Sequence, residues 1–433
     1  MPTISKKGIN IPPSPIRKLV PFADQAKKRG INILHLNIGQ PDIKSPPESI
    51  DAIRNIDLDV LKYEPSQGSL EFRNNLCNYY SKHNIQVLPD DIITTVGASE
   101  ALSFTMNSIC DPGDEVIIPE PFYANYNGFA HASDVNVIPI TSKIEDNFAL
   151  PPIDSFREKI NKKTKAIIIC NPCNPTGYVY SKDEIIDIAN LAKKHDLFIV
   201  VDEVYREFIY TDIKHFSILE DKRFYDNAIL IDSTSKRYSL CGARIGFIVS
   251  KNSDFIQTCL KFALTRLSPP TLALVAANKA LNCNGNYIED AINEYSNRRK
   301  ILISELSKLN NIRYSDPIGA FYSIIKLPIN DAEEFSKFLL TDFSINNESV
   351  MLAPASGFYS SENNGNDEGE NDLQTSRQQS PPPQQKEQQQ QQGEEQDIDT
   401  EEEAEVMSSR EETALLRVHT IGLFICQDFL PFT

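Results

Sequence analysis

The hydrophobic pattern of this 433-residue chain alternates between short apolar runs and amphipathic segments. Continuous apolar runs, typical of strands buried on both faces, occur in "KAIIIC" (165–170), "LFIVV" (197–201) and "NAILI" (227–231). Between the first two runs, Ile185, Ile188 and Leu191 share one face of a predicted helix. Ser181 and Glu184 have the spacing of a capping box, which indicates that this helix begins at about residue 181.

The order strand, helix, strand with short connections predicts an α/β fold whose mostly parallel sheet is flanked by helices. Ligands of such sheets bind outside the carboxyl ends of the strands, so the residues after each run are candidates for a site. Polar side chains stand at all three of these points: Asn171 and Asn174; Asp202, Glu203 and Tyr205; and Asp232, Ser233, Thr234, Ser235 and Lys236.

A lysine among small hydroxyls, near a buried aspartate and a tyrosine, suits the chemistry of pyridoxal phosphate. This cofactor requires an amine that forms an imine, an anion that keeps the pyridine nitrogen protonated, and donors to the ring oxygen. Lys236, Asp202 and Tyr205 are therefore the catalytic candidates. The protonated ring acts as an electron sink, and the freed lysine can carry a proton between carbon atoms.

A phosphate site is predicted at the start of a helix in "TTVGASEALSF" (94–104), where Gly97, Ala98 and Ser99 precede an apolar-periodic segment. Backbone N–H groups and the helix dipole favour an anion there. A hydroxyl from Ser235 and the guanidinium of Arg244 suit the same phosphate. Tyr123, in "PFYANY", is a candidate for stacking on the cofactor ring.

Eight cysteines are scattered along the chain, and Cys170 and Cys173 have C-x-x-C spacing. A zinc site is disfavoured because the sequence offers no second ligand pair, and only six histidines. A redox pair is disfavoured because Pro172 and Pro175 favour extended structure at the preceding residues. We therefore expect buried free thiols and no metal.

The net charge of −17 is concentrated in one segment. Residues 361–412 contain 16 acidic and three basic residues, with many Gln, Pro and Ser and few large apolar side chains. This composition predicts a disordered acidic insert, with an acidic docking segment as the alternative. Neither a nucleic-acid partner nor a membrane span is predicted, and the lack of a signal-peptide pattern in the first residues favours the cytoplasm.

These motifs together resemble the class I aminotransferases, pyridoxal-phosphate enzymes of the aspartate aminotransferase fold. "STSKRYSLCGARIG" (233–246) is similar to the family's lysine signature, with Lys236 as the imine lysine and Arg244 as the phosphate arginine. "NPCNPTG" (171–177) resembles the loop in which Asn174 bonds the ring oxygen, and "VDEVYREF" (201–208) the strand that carries Asp202 and Tyr205. Cys173 then fills a variable position of the asparagine loop.

The resemblance covers residues 10–360 and implies further contacts. In "YEPSQGSLEFR" (63–73), it implies that Tyr63 reaches the phosphate bound by a neighbouring subunit, hence a homodimer. In "LNIGQPD" (36–42), it places Gly39 at the substrate carboxylate, and it adds Asn174 to the substrate site. Beyond the insert, Arg417 in "ALLRVHTIG" is the candidate for gripping the α-carboxylate.

We therefore expect two domains and an insert. A large cofactor-binding domain spans 46–285; a smaller α+β domain combines an N-terminal arm within 1–45 with 286–360 and 413–433; residues 361–412 form the insert. The implied reaction is amino transfer from an L-amino acid, aspartate first and an aromatic amino acid second, to a 2-oxo acid such as 2-oxoglutarate. β-Elimination on the same cofactor, or a cofactor-binding scaffold with impaired catalysis, are the alternatives, since the chain after the insert departs from the family pattern.

Overall fold

The computed structural model describes residues 2–14, 17–283 and 285–361. Arg417 and nearly all of the predicted insert lie outside these described residues. Among the described residues, the β-strands are β1 (Asn32–His35), β2 (Ile92–Thr95), β3 (Glu115–Glu120), β4 (Asn136–Thr141), β5 (Thr164–Cys170), β6 (Phe198–Asp202), β7 (Ala228–Ser233), β8 (Gly246–Val249), β9 (Arg313–Tyr314), β10 (Ile325–Lys326) and β11 (Glu348–Met351).

The α-helices of the same part of the chain alternate with these strands. They are α1 (Lys6–Asn10), α2 (Val20–Lys28), α3 (Pro47–Arg54), α4 (Leu70–Ser81), α5 (Gly97–Ile109), α6 (Asn125–Ala132), α7 (Ile153–Lys159), α8 (Lys182–Lys194), α9 (Thr234–Arg237), α10 (Ser253–Arg266), α11 (Thr271–Leu281), α12 (Tyr287–Leu306) and α13 (Ala332–Thr341).

A seven-stranded sheet with the order β2-β8-β7-β6-β5-β3-β4 forms the centre of the fold. All neighbouring strands run parallel except β8, which is antiparallel to β2 and β7. In the register, Cys170 is paired with Asp202 and Asp202 with Ile231, so β5, β6 and β7 end side by side. The three polar clusters after these strands therefore share one edge of the sheet.

Both faces of the sheet are covered, which explains why its strands read as continuous apolar runs. In β5, Ile167 and Ile169 belong to one apolar core, and Ala166 and Ile168 belong to the core on the opposite face. Helices α4, α8 and α11 contribute to the first core, whereas α5, α6 and α10 contribute to the second. The predicted α/β fold, with a mostly parallel sheet between helical layers, is confirmed.

A smaller set of elements brings the two ends of the described chain together. β1 pairs in parallel with β11, and β9 pairs with β10 in a separate antiparallel sheet. Leu34 and Leu36 pack with Val350 and with residues of the long helix α12 and of α13. No helix in the described ranges is long and apolar enough to cross a membrane.

Candidate active site

Lys236 lies on the short helix α9, directly after the central strand β7. Ser233, the last residue of β7, caps the start of this helix: its Oγ accepts a hydrogen bond from the backbone N–H of Ser235 at 3.0 Å. The ammonium of Lys236 donates to the backbone carbonyl of Gly39, which comes from the loop after β1. Its Nζ lies 5.8 Å from the centroid of the Tyr205 ring. The fold thus brings Lys236, Gly39 and Tyr205 to one point from widely separated parts of the sequence.

Asp202 ends strand β6 and is buried. Its Oδ2 accepts a hydrogen bond from the hydroxyl of Tyr126 at 2.9 Å, and its Oδ1 accepts one from the backbone N–H of Val204 at 3.2 Å. Burial raises the pKa of Asp202 to about 6, because a carboxylate loses hydration there, while these two hydrogen bonds lower it. The carboxyl group is thus shielded from water and held by two hydrogen bonds that favour its ionised form.

Tyr205 lies three residues beyond Asp202 and hydrogen-bonds through its hydroxyl to the hydroxyl of Tyr322. The rings of the two tyrosines are 5.4 Å apart in an edge-to-face arrangement. A Cβ at Gly39 would overlap the Tyr322 hydroxyl, so this close approach requires glycine at position 39. Sequence reasoning missed Tyr322, since nothing in its neighbourhood "GAFYSIIK" marks it as a site residue.

The loop after β5 holds two asparagines with different roles. The Oδ1 of Asn171 accepts the backbone N–H of Tyr180 at 3.0 Å, which closes the loop. Asn174 is buried, and its Oδ1 has no hydrogen-bond partner among the described residues. A carboxamide turned by 180° offers Nδ2 at the same place, so this side chain suits a ligand that supplies the missing bond. Cys170 and Cys173 are buried free thiols.

An anion cradle lies where helix α5 meets the loop before β8. Gly97, Ala98 and Ser99 form the first turn of α5 rather than preceding it. Gly97 has a φ of +72°, and a Cβ there would overlap the guanidinium of Arg244. The N–H groups of a first helical turn have no partner within the helix, so together with this guanidinium they favour a bound anion.

The remaining phosphate and ring candidates come from helix α9 and from the loop before α6. Ser235 is buried, and its Oγ lies 2.8 Å from that of Ser233. Tyr123 accepts a hydrogen bond from Nδ2 of Asn125 at 2.7 Å, and its ring packs edge-to-face on Tyr126 at 5.5 Å. Burial raises the pKa of the Tyr123 phenol, so it stays neutral.

Two predicted site residues are not brought into this cluster by the described chain. Tyr63 is 79% exposed, in a loop before α4, and Arg417 lies outside the described residues. Tyr126, in contrast, is a site residue that the sequence reasoning did not single out, although it ends the segment "PFYANY" that contains Tyr123. Its position in the site follows from the packing of α6 under the edge of the sheet.

The residues present fit pyridoxal phosphate. The amine of Lys236 and the carboxylate of Asp202 provide the two charged groups that the aldehyde and the pyridine nitrogen require. The cradle at Gly97, which a side chain at that position would fill, provides for the phosphate. The unpartnered amide of Asn174 provides one further hydrogen bond in a buried place.

Comparisons with known proteins agree with this chemistry. The sequence profile of the family described as "Aminotransferase class I and II" matches residues 31–360. An aspartate aminotransferase of Bacillus subtilis is 30% identical over 371 residues, which cover 83% of this chain and 93% of that protein. A probable aspartate aminotransferase of Methanocaldococcus jannaschii is 35% identical over 327 residues, covering 74% and 83% of the two chains.

Solved structures give the same result at the level of the fold. A mutant aspartate aminotransferase of Thermus thermophilus superimposes with a TM-score of 0.76 at 28% identity, covering 83% of this chain and 93% of that one. Because the profile match spans most of the chain and coincides with the lysine, aspartate and anion cradle described above, sequence, fold and site chemistry agree. The chain belongs to the class I and II aminotransferases and is a pyridoxal-phosphate-dependent aminotransferase.

Proposed function

We propose that this enzyme transfers the amino group of L-aspartate to a 2-oxo acid such as 2-oxoglutarate, as a cytoplasmic homodimer. The single observation that carries the proposal is the convergence of Lys236, Asp202 and the Gly97–Arg244 cradle at one edge of the sheet. The names of the relatives reported above support aspartate as the donor. The cysteines of the described residues are all unpaired, as is usual in a reducing compartment.

In this proposal each residue has a defined task. Bound pyridoxal phosphate supplies an electron-withdrawing ring that stabilises negative charge at the α-carbon of the substrate. Lys236 would hold the cofactor through its amine and, when free, would move the α-proton of the substrate. Asp202 would keep the ring nitrogen protonated, while Tyr205 and Asn174 would donate hydrogen bonds to the ring oxygen. Gly39, whose carbonyl accepts a hydrogen bond from Lys236, would lie at the carboxylate of the substrate.

The anion cradle has the corresponding task at the phosphate. Arg244, Ser235, Ser233 and the first turn of α5 from Gly97 through Ala98 to Ser99 would hold the phosphate, and Tyr123 would cover the ring face. Arg417 is the proposed partner of the substrate α-carboxylate. The pairing of β1 with β11 supports the proposed small domain. In that proposal the small domain combines residues that precede and residues that follow the large domain of residues 46–285 in the sequence.

The substrate assignment is tested by absorbance of the purified protein with pyridoxal phosphate. L-Aspartate should shift the visible band to the pyridoxamine form within one turnover, and 2-oxoglutarate should restore it. L-Tyrosine in place of L-aspartate is the matched comparison. A band that L-tyrosine shifts and L-aspartate does not would replace aspartate by an aromatic donor, and a band that no amino acid shifts would contradict amino transfer.

The proposed dimer rests on an exposed apolar surface around Tyr63. Tyr63 follows Leu58, Val60 and Leu61, whose exposed fractions are 48%, 62% and 60%. The loop is fixed against the start of α11, since the hydroxyl of Thr271 donates to the carbonyl of Lys62 at 3.1 Å. A fixed, exposed apolar surface of this kind is typical of a protein interface. We infer that it places Tyr63 in the site of a second copy.

Subunit complementation tests this arrangement. Lys236→Ala and Tyr63→Ala are each expected to be inactive or weakly active alone. In a mixed dimer, the subunit that carries Tyr63→Ala keeps its own Lys236 and receives an intact Tyr63 from its partner. Activity should therefore return when the two variants are unfolded and refolded together. No recovery in a mixture that sedimentation shows to be dimeric would place Tyr63 outside the partner's site.

A further inference from the structure

Helix α6 carries a buried tyrosine whose hydroxyl points at the carboxylate of the site. Tyr126 has no exposed surface, and its ring is held by Phe122 at 6.0 Å and by Tyr123 at 5.5 Å between centroids. The hydroxyl donates to Oδ2 of Asp202 at 2.9 Å, across 76 residues of sequence. Since the ring cannot move without displacing its aromatic neighbours, the direction of this hydrogen bond is fixed.

The other groups that face Asp202 do not provide the same interaction. The backbone N–H of Val204 occupies Oδ1. Several charged and titratable side chains interact electrostatically with Asp202. They are Tyr123, Tyr126, Cys170, Cys173, Asp232 and Lys236. Within the described part of the chain, Tyr126 is the side chain of this group that donates a hydrogen bond to the carboxylate. Each carboxylate oxygen has two lone pairs, so both hydrogen bonds leave room for a ring N–H.

We propose that Tyr126 is a positioning residue that keeps Asp202 ionised and aimed at the cofactor ring, so that the shared proton stays on the ring nitrogen. This inference rests on the proposed function, in which Asp202 faces that nitrogen. The physical reason is that a hydrogen bond to a carboxylate stabilises the ionised form over the protonated form. Without the hydroxyl, a carboxyl group in a buried place takes up the proton more readily.

The chain offers a matched control in a second buried tyrosine–aspartate pair. The hydroxyl of Tyr80, on α4, donates to Oδ2 of Asp232 at 3.0 Å, and both side chains are fully buried. Asp232 also accepts a hydrogen bond from Arg237 at 2.8 Å, so its charge keeps a partner when the tyrosine hydroxyl is removed. Tyr80→Phe therefore removes a buried tyrosine–aspartate hydrogen bond while Asp232 keeps its ion pair with Arg237, so the Coulombic effect of Asp232 on Asp202 is retained.

The experiment is a pH titration of the visible absorbance of the full-length protein loaded with pyridoxal phosphate. In Tyr126→Phe, Asp202 takes a larger share of the proton that lies between it and the ring nitrogen. The ring is then less positive, so it withdraws less charge from its bond to Lys236. The midpoint of the absorbance change is the pH at which the nitrogen that joins Lys236 to the cofactor loses its proton. It should therefore rise by about one pH unit, which is a tenfold change in the proton affinity of that nitrogen. Tyr80→Phe should keep the wild-type midpoint, while both variants lose a similar amount of thermal stability.

The outcomes separate this inference from the function on which it rests. An unchanged midpoint in a folded, cofactor-loaded Tyr126→Phe protein would overturn the role of Tyr126. Asp202→Asn tests the underlying assignment, because a wild-type spectrum and midpoint in that variant would remove Asp202 from the ring nitrogen. In the double variant, Tyr126→Phe should add no shift to that of Asp202→Asn. If Tyr126→Phe does not fold alone, both tyrosine-to-phenylalanine variants are refolded in the presence of pyridoxal phosphate, which stabilises the folded state that binds it, and the same midpoints are compared.

Discussion

The anion cradle gives a sharp prediction because one glycine is in contact with its arginine. Gly97→Ala places a methyl group where the guanidinium of Arg244 now lies. The guanidinium is the end of a flexible side chain, so it moves aside and the fold survives. The charged hydrogen bond that we propose between Arg244 and the cofactor phosphate, worth about 1.5–3 kcal/mol, would then be lost. We therefore expect the affinity for pyridoxal phosphate to fall by about 10- to 150-fold.

The same substitution also introduces backbone strain, which a matched glycine can measure separately. Gly97 and Gly113 have φ values of +72° and +89°, a region that costs alanine about 1–2 kcal/mol. Gly113 has no atom within 4 Å of the position of a new Cβ. Gly113→Ala should therefore lower the thermal stability to a similar extent without changing cofactor affinity.

The assay is an equilibrium titration of the cofactor-free protein with pyridoxal phosphate, followed by absorbance, with thermal unfolding measured on the same samples. The decisive quantity is the ratio of cofactor dissociation constants between the two alanine variants. Equal dissociation constants in Gly97→Ala and Gly113→Ala would refute the assignment of the cradle to the phosphate, whatever the loss of stability. A tenfold or larger ratio would support it.

Three further outcomes follow from the geometry. Lys236→Ala should lose the visible band that depends on covalent attachment and nearly all amino transfer, whereas substantial remaining transfer would exclude Lys236 as the attachment point. In equilibrium titrations, the affinity for pyridoxal phosphate should fall about tenfold per pH unit below pH 6. Burial raises the pKa of Asp202 to about 6, so the carboxylate is neutralised below that pH. An affinity that stays constant from pH 7 to pH 5 would contradict this. Glu203→Gln should flatten the pH dependence of the unfolding free energy. Burial raises the pKa of Glu203 to about 8 from an ordinary 4.5, so the folded protein holds this proton more tightly than the unfolded chain does. As the pH rises from 4.5 to 8, the wild-type protein therefore loses at most about 1.4 kcal/mol of stability per pH unit. Chemical denaturation of both proteins from pH 5 to 8 measures the slopes, and equal slopes would count against the buried, protonated glutamate.

The central strands and helix α8 could be predicted from the sequence because their patterns allow one structural interpretation. A run such as "AIIIC" (166–170) that is apolar at every position has to be covered on both faces, and the structure covers β5 in that way. The capping box of Ser181 and Glu184 is formed, with the backbone N–H of Glu184 donating to Ser181 at 3.2 Å. Local chemistry and tertiary burial agree at these positions.

The contacts of Tyr126 and Tyr322 could not be predicted in the same way. Tyr126 meets Asp202 across 76 residues, and Tyr322 meets Tyr205 across 117. Neither tyrosine follows one of the recognised strands, and a tyrosine in an apolar stretch is equally consistent with plain packing. The partner of each hydroxyl depends on how distant elements pack, and hydrophobic periodicity carries no information on that.

The neighbours Lys236 and Arg237 show how the fold gives two cations of one short helix opposite roles. Arg237 is almost completely buried and donates to Asp232 at 2.8 Å and to Glu207 at 3.1 Å. Burial costs a guanidinium its hydration, so these two carboxylates are needed to hold the charge in place. Coulombic attraction from Arg237 and Arg206 overcomes burial and lowers the pKa of Glu207 to about 2, so this partner remains ionised at neutral pH.

An arginine fixed in this way also fixes the backbone of α9. Lys236, one residue earlier, points to the other side of the helix and reaches the carbonyl of Gly39. Because the backbone is anchored, the position of the amine depends on the rotamers of the lysine side chain alone. The buried ion pairs of Arg237 therefore fix the short helix that carries Lys236, the residue proposed to hold the cofactor.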